Sequence, residues 1–352
     1  MSRLLSTVSA ITFIAGTYAS ADIPKVVADI APIHSLVSRV MDGVGEPKLI
    51  VPNETSPHDY RLRPADAEAI ENANLVFWMG EGLTPWMERA LEALSNDTDI
   101  IEFLALEEST LLSFREGALF EAHDHSDHDD HDKDHDDHDD HDDHDKDHDD
   151  HDDHDDHDKD HDDHDDHDDH DDHDDHAGHD HGEYDPHAWL STNNAKTWLN
   201  VIAARLSSID PDNAGAYFAN ASEARGEMDA LDVEINTMLD PVRGGKFVVF
   251  HDAYQYFETV YDFPASGAIS LGDASDPSAA RVAEIANRIK SENIACVLSE
   301  PQFNAGLVKT VMGGTDATTE VIDPLGFGIE PGKSLYPKLI RAMAQSLVNC
   351  LK

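Results

Sequence analysis

The stretch KVVADIAPIHSLVSRVMDGVGEPKLIV, residues 25–51, contains a complete strand–helix–strand unit. Residues 25–30 are a short apolar run of the kind that forms a strand buried on both faces. Residues 34–44 carry apolar side chains at helical spacing and predict a helix, and residues 47–51 predict a second strand. Two strands joined by a helix lie parallel in one sheet, so this unit predicts an α/β fold.

The same alternation of strand and helix continues to about residue 104. Such a series gives a parallel sheet covered by helices. The predicted elements are helices at 63–73 and 84–94 and strands at 75–79 and 100–104.

A second strand–helix series occupies the end of the chain, after one long helical segment. Residues 210–239 place apolar side chains near the 3.6-residue period, which predicts a helix roughly 40 Å long that joins two lobes. A helix at 193–207 precedes the long one, and the elements expected after it are helices at 280–290, 307–312 and 335–351 and strands at 247–250, 295–298 and 319–322. We therefore predict an α/β protein of two lobes, each a small parallel sheet flanked by helices, joined by one long rigid helix.

The first 21 residues have the composition of a secretory signal peptide. Arg3 gives a short positive region, residues 4–16 are mostly apolar, and Ala19-Ser20-Ala21 is a cleavage site of the A-x-A kind. We expect export to the periplasm, since the apolar run is shorter than the ~20 residues that a membrane span needs. The predicted domains after this signal peptide at 1–21 are an N-terminal lobe at 22–209, a linking helix at 210–240 and a C-terminal lobe at 241–352.

The chain has two cysteines, Cys296 and Cys350. An even pair in an oxidising compartment suggests one disulfide, which closes a loop of about 55 residues and contributes roughly 4 kcal/mol in the chain-entropy model. Two buried free thiols are the alternative interpretation.

Residues 123–181 form a low-complexity insert in the first lobe that carries most of the net charge. The whole chain has a formal charge of −50, and the insert, which repeats HDKDHDDHDDHDD and contains 33 Asp, 20 His and 3 Lys, accounts for −30 of it. We expect a disordered loop, because a segment with almost no apolar side chains cannot offset its ordering entropy. The acidic balance argues against nucleic acid or an anionic membrane as partner and favours a cation. The insert is predicted to gather metal cations in many loose sites, to report their abundance, or only to solubilise the protein.

Three of the four histidines outside the insert occupy positions that suit a metal site. His58 follows the second predicted strand, His251 ends the strand at 247–250, and His187 lies in Asp-Pro-His-Ala-Trp. Asp323 also ends a predicted strand, at the edge where open α/β sheets bind ligands. Three imidazoles with a carboxylate match the ligands that Zn²⁺ prefers. His34 is better explained by capping or packing, and Asp323 before a proline also suits a turn.

Four segments together resemble the zinc-binding solute-binding proteins of ABC transporters, the ZnuA-like or cluster A-I family. They are residues 52–63, 185–189, 249–254 and 322–326, and the likeness covers essentially the whole mature chain. The resemblance implies two α/β lobes joined by a rigid helix, with metal bound between them. It also implies His58, His187 and His251 as the histidine ligands, and Asp323 at a position that is a ligand in some relatives only.

The resemblance carries three further implications. His251 favours zinc, since relatives selective for manganese typically have a carboxylate there. Pro57 departs from zinc members that place a glutamate just before the first ligand, which leaves Asp323 or water as the fourth ligand. The disulfide that zinc members commonly carry in the second lobe is similar to a Cys296–Cys350 pair.

The resulting prediction is a periplasmic zinc-binding component of an ABC importer that captures Zn²⁺ between its lobes and delivers it to a membrane permease. Zn²⁺ is then the transported ligand rather than a catalytic cofactor, and the chain is not an enzyme. The alternatives are a zinc-dependent hydrolase, a manganese carrier of the same family and a surface adhesin that uses zinc. A hydrolase is disfavoured because the sequence has no H-E-x-x-H motif and no general-base carboxylate at a recognisable spacing. The expected partners are the permease and, as a candidate, a periplasmic zinc chaperone; we expect a monomer and no nucleic acid.

Overall fold

The computed structural model describes residues 23–95, 98–115, 120, 184–270, 272, 277–302 and 305–352. The predicted signal peptide at 1–21 and the predicted disordered insert at 123–181 lie outside the described residues. The described residues on both sides of the insert belong to one compact unit.

In the part of the chain that the structure describes, the first lobe has four strands alternating with three helices. They are β1 (Val26–Ala28), α1 (Ala31–Val40), β2 (Lys48–Leu49), α2 (Pro64–Glu71), β3 (Leu75–Trp78), α3 (Pro85–Leu94) and β4 (Asp99–Glu102). The sheet order is β2-β1-β3-β4, and every strand is parallel to its neighbours. Pro64 and Pro85 open α2 and α3, where a missing N–H leaves no hydrogen bond unmade.

Two successive helices lead from the first sheet to the second. α4 (Thr192–Ile209) begins after Ser191, whose side-chain oxygen accepts a hydrogen bond from the N–H of Asn194. α5 (Ala214–Leu239) has 26 residues and is therefore about 39 Å long. Its buried side chains recur every three or four residues and are Tyr217, Ala221, Ala224, Met228, Leu231, Ile235 and Leu239. The long helix predicted from the apolar spacing is confirmed.

Within the described ranges, the second lobe repeats the architecture of the first. Its elements are β5 (Phe247–His251), α6 (Gln255–Tyr261), β6 (Ala268–Ser270), α7 (Ala279–Glu292), β7 (Cys296–Ser299), α8 (Ala305–Val311), β8 (Thr318–Val321) and α9 (Leu335–Leu351). The sheet order is β6-β5-β7-β8, again with all neighbours parallel. The predicted fold of two parallel α/β lobes is thus confirmed.

Helix α5 contacts both lobes. Arg39 of α1 pairs with Glu223 and Glu227 of α5, and Arg341 of α9 pairs with Glu234 of the same helix. Such exposed pairs stabilise a protein little, but the buried face of α5 also packs against α1 and α9. One continuous helix therefore braces the two sheets.

Buried hydrogen bonds also join the lobes directly. The hydroxyl of Tyr336 donates to the carbonyl of Trp189 at 2.8 Å, and the N–H of Tyr336 donates to the hydroxyl of Ser35 at 2.9 Å. The indole N–H of Trp189 in turn donates to the carbonyl of Pro324 at 2.8 Å. Because these donors and acceptors are buried, breaking one of the hydrogen bonds leaves both atoms without a partner, which costs free energy. The contacts therefore resist separation of the lobes.

Some local features differ from the sequence-based expectation. Helix α6 and strand β6 were not predicted, because seven and three residues are too few to display a clear period. Strand β2 is shorter than the predicted 47–51, although the N–H groups of Ile50 and Val51 still donate to the carbonyls of Ala28 and Asp29. The disulfide between Cys296 and Cys350 is present and ties β7 to the end of α9. No described helix combines the length and the apolar character needed to cross a bilayer.

Candidate metal centre

The predicted ligands lie at the carboxyl edges of the two sheets. His251 is the last residue of β5, and Asp323 follows two residues after β8 ends. His58 lies in the loop after β2, and His187 immediately precedes the helical turn Ala188–Leu190 that leads into α4. Parallel sheets bind ligands at this edge, so the fold brings all four residues to a suitable region.

His187 and His251 face each other across the lobes. Their Nε2 atoms are 3.4 Å apart and their ring centroids 5.2 Å apart, and the two residues are only 7% and 4% exposed. Two nitrogens that bind one tetrahedral zinc ion at about 2.0–2.1 Å lie about 3.4 Å from each other. The pair therefore has the spacing of two ligands of a single zinc ion.

His58 lies beside this pair. Its ring centroid is 6.0 Å from that of His187, and the cavity that the three rings help to line measures about 20 Å³, room for one small ion or water molecule. Among the residues that the structure describes, no three His, Cys, Asp or Glu side chains are already close enough to coordinate one ion. A three-histidine site at this cavity stays a prediction.

The loop that carries His58 is held by side chains on both sides of it. The indole N–H of Trp86 donates to the carbonyl of Pro57 at 2.8 Å. The amide of Asn53 donates to the carbonyl of Gly326 at 2.5 Å, which fastens the same loop to the second lobe. These two contacts restrain the backbone of the loop that carries His58.

Asp323 directly precedes Pro324, which lines the cavity. Asp323 itself does not line the cavity among the described residues, and its Oδ1 accepts a hydrogen bond from the N–H of Leu325 at 2.9 Å. Burial raises the pKa of its carboxyl group. Its turn-forming contact is visible, while its role as a ligand stays a prediction.

A buried carboxylate lies behind each ring of the histidine pair. Oδ1 of Asp185 is 2.7 Å from Nδ1 of His187, and Oε1 of Glu300 is 2.6 Å from Nδ1 of His251. Sequence reasoning did not assign either carboxylate. Asp185 was signalled by its place two residues before His187, whereas Glu300 had only its position directly after β7.

Burial dominates the electrostatics of Asp185. Loss of hydration raises the pKa of its carboxyl group to about 7, although the hydrogen bond from the N–H of His187 and the nearby charge of Arg115 oppose this. Arg115 itself forms ion pairs with Asp252 and Glu258 of the second lobe. Arg115, which precedes the insert, therefore contacts Asp252, the residue directly after His251.

The fold and the candidate centre together define a class: two-lobed α/β proteins with a candidate metal site at the interlobe edge. A solved structure described as the crystal structure of ZnuA shares this fold, with a TM-score of 0.67 at 21% identity, over 94% of this chain and 100% of that chain. The high-affinity zinc uptake system protein ZnuA of Brucella abortus is 44% identical over 100% of this chain and 99% of its own length. The protein of the same name from Paracoccus denitrificans is 43% identical over 95% of this chain and 93% of its own length.

The model of the family "ZnuA: Zinc-uptake complex component A periplasmic" matches residues 26–350, and the chain belongs to this family. The predicted resemblance is confirmed. Members of the family are solute-binding proteins for zinc transport rather than enzymes, so Zn²⁺ is the transported ligand and a membrane permease is the implied partner.

Proposed function

We propose that this chain captures Zn²⁺ in the periplasm with His58, His187 and His251 and delivers it to the permease of a zinc ABC importer. The observation that carries the ligand assignment is the 3.4 Å separation of the Nε2 atoms of His187 and His251. Imidazole is a preferred ligand of zinc, and the cavity has room for one ion. The same edge of the fold therefore suits capture of a single bare cation.

Asp323 or a water molecule takes the fourth position in this proposal. Asp323 lies at the right sheet edge, but its Oδ1 already accepts the N–H of Leu325. Direct ligation requires its other oxygen or exchange of that contact. Pro57, next to His58, offers no side-chain donor.

Release from the site requires little movement of the lobes. Helix α5 braces both sheets, and buried hydrogen bonds such as Tyr336 to Trp189 link the lobes near the site. We expect zinc to leave through local movement of the His58 side chain when the permease docks. Small-angle scattering should accordingly detect no large closure on zinc addition, and a large change in radius of gyration would contradict this part of the proposal.

The remaining parts of the proposal concern compartment and assembly. We propose cleavage of residues 1–21 on export, in keeping with the Cys296–Cys350 disulfide that oxidising compartments favour. The mature chain would then act as a monomer of an N-terminal lobe at 22–209, a linking helix at 210–240 and a C-terminal lobe at 241–352. A periplasmic zinc chaperone is a further candidate partner.

A zinc titration of the full chain in competition with a chelator tests the ligand assignment. The competition keeps free zinc so low that only the tight site fills. We expect His251→Ala to weaken this site by more than the roughly 100-fold that is the upper end for losing an outer contact. His34→Ala is the matched control, because Nε2 of His34 lies 3.1 Å from the carbonyl oxygen of Pro47 and not in the cavity.

Two results would contradict the proposal. His251→Ala and His34→Ala could bind zinc with equal affinity, which would remove His251 from the ligand set. Wild-type protein could also bind no zinc at all under chelator competition, which would remove the capture function.

A further inference from the structure

We propose that Asp185 and Glu300 are paired positioning residues, which aim the Nε2 atoms of His187 and His251 at zinc and balance its charge from behind the rings. This inference rests on the proposed function, because it concerns the same site. The geometry that carries it is the 2.7 Å contact of Asp185 with Nδ1 of His187 and the 2.6 Å contact of Glu300 with Nδ1 of His251.

The two contacts form a matched arrangement across the lobes. Asp185 comes from the first lobe and Glu300 from the second, and each meets the histidine of its own lobe. They are 2% and 4% exposed. A carboxylate buried to this extent costs free energy unless it is paired, and the described ion pairs of these two carboxylates are to the candidate ligands.

Each carboxylate fixes which ring nitrogen can bind metal. A carboxylate oxygen accepts a hydrogen bond, so Nδ1 of the ring carries the proton and Nε2 keeps its lone pair. In both rings the unprotonated Nε2 points toward the other histidine, and the two Nε2 atoms are 3.4 Å apart. Two acceptor nitrogens at that distance repel each other unless a proton or a cation lies between them, so the arrangement favours a cation.

Asp185 is itself held in place. Its Oδ1 accepts the backbone N–H of His187 at 2.9 Å as well as the ring Nδ1. The side chain and the backbone of His187 are therefore fixed by one oxygen. Glu300 follows β7 directly, and β7 lies beside β5, the strand that ends at His251. Neighbouring strands thus set the reach from Glu300 to the ring.

The two carboxylates also offset the positive charge of the ion. Imidazoles bind as neutral ligands, so three of them leave a divalent ion with its full charge in a buried cleft. Asp185 and Glu300 place two negative groups one ring away. Each contacts Nδ1, on the opposite side of its ring from the metal-binding Nε2, and Glu300 also lines the cavity.

Chelator-competition titration of the full chain with Zn²⁺ tests the proposal on Glu300→Gln, Asp185→Asn and Glu300→Ala. Removal of an outer carboxylate typically weakens metal binding about 10–100-fold, and we expect that range for the two amide variants. Glu300→Ala should lose more affinity than Glu300→Gln, since the amide oxygen of glutamine can still accept a hydrogen bond from Nδ1–H. Asp210→Asn is the control, a buried carboxylate whose partners are Tyr217 and Asn213 rather than a histidine.

Co²⁺-substituted protein supplies a readout that a purely structural role would not change. We expect the visible absorption bands of bound Co²⁺ to shift in Glu300→Gln and Asp185→Asn and to stay unchanged in Asp210→Asn. Thermal unfolding without metal identifies any variant that does not fold. The two amide substitutions lie in different lobes. If one variant does not fold, the other still tests the positioning role.

The outcomes separate the inference from the proposed function. If both amide variants bind Zn²⁺ within threefold of wild type while His251→Ala loses it, the positioning role is wrong and the histidine site stands. If His251→Ala also binds as wild type does, the ligand assignment is wrong and the positioning role is wrong with it.

Discussion

Nε of Arg115 lies 3.0 Å from Oδ2 of Asp252, a residue 137 positions later in the chain. Asp252 directly follows the candidate ligand His251, and Arg115 also pairs with Glu258 at 2.7 Å. A side chain from the segment before the insert thus neutralises two buried carboxylates of the second lobe. The contact joins the lobes close to the candidate metal centre.

Arg115→Met should destabilise the protein strongly. The substitution leaves Asp252 and Glu258 buried without their cation, and breaking a buried pair in this way costs about 3–5 kcal/mol. Urea unfolding measures the loss. Arg205→Ala is the control. Arg205 is half exposed, and its ion pair with Asp99 is long, at 3.9 Å, so the loss of stability should be below about 1 kcal/mol. Equal effects of the two substitutions would contradict the stabilising role of the Arg115 cluster.

Deletion of residues 123–181 should lower the zinc stoichiometry to about one tight site. The deletion removes 20 of the 24 histidines but none of the proposed ligands. Ser113 and Tyr184 form an antiparallel bridge, so the chain on the two sides of the insert is already paired and the lobes should still fold. Zinc counted by atomic emission after dialysis measures the change. An unchanged stoichiometry would exclude the zinc-gathering hypothesis and favour the solubilising one.

Asp29 should make stability decrease as pH rises from acid toward neutral. It is fully buried at the end of β1, and loss of hydration raises the pKa of its carboxyl group from 3.8 to about 7, despite hydrogen bonds from the N–H groups of Met79 and Ile30. Between these two pH values the folded state binds more protons than the unfolded state. The free energy of unfolding contributed by Asp29 therefore falls through this window.

Urea unfolding of the metal-free protein at several pH values between 4 and 7 tests this expectation. Asp29→Asn cannot titrate, so its stability should fall less steeply with pH than that of wild type. The comparison uses slopes, because the amide also replaces one hydrogen-bond acceptor and lowers stability at every pH. Parallel slopes for the two proteins would contradict the raised pKa.

Sequence reasoning found the residues that occupy recognisable positions. His251 was predicted because it ends an apolar strand, and the long helix because its apolar side chains keep one period over many turns. Asp323 shows the limit of this approach, since an aspartate before proline forms a turn as readily as it binds metal. The structure displays its turn contact with Leu325.

Glu300 could not be found in the same way. A glutamate after a strand is indistinguishable in sequence from a solvent-exposed one, and only the pairing of β5 with β7 places it against His251. The hydrogen bond from the amide of Asn53 to the carbonyl of Gly326, 273 residues away, likewise cannot be predicted from local sequence patterns. Such contacts depend on strand pairing within a lobe or on the packing of one lobe against the other, which no short-range period encodes.

Anomalous diffraction at the zinc edge from crystals of the zinc-loaded full chain shows whether His187 and His251 bind one zinc ion. We expect the strongest peak within about 2.0–2.1 Å of Nε2 of both His187 and His251, with a ring nitrogen of His58 moved in to the same distance. A strongest peak elsewhere in the described part of the chain, with His187 and His251 free of metal, would contradict the account.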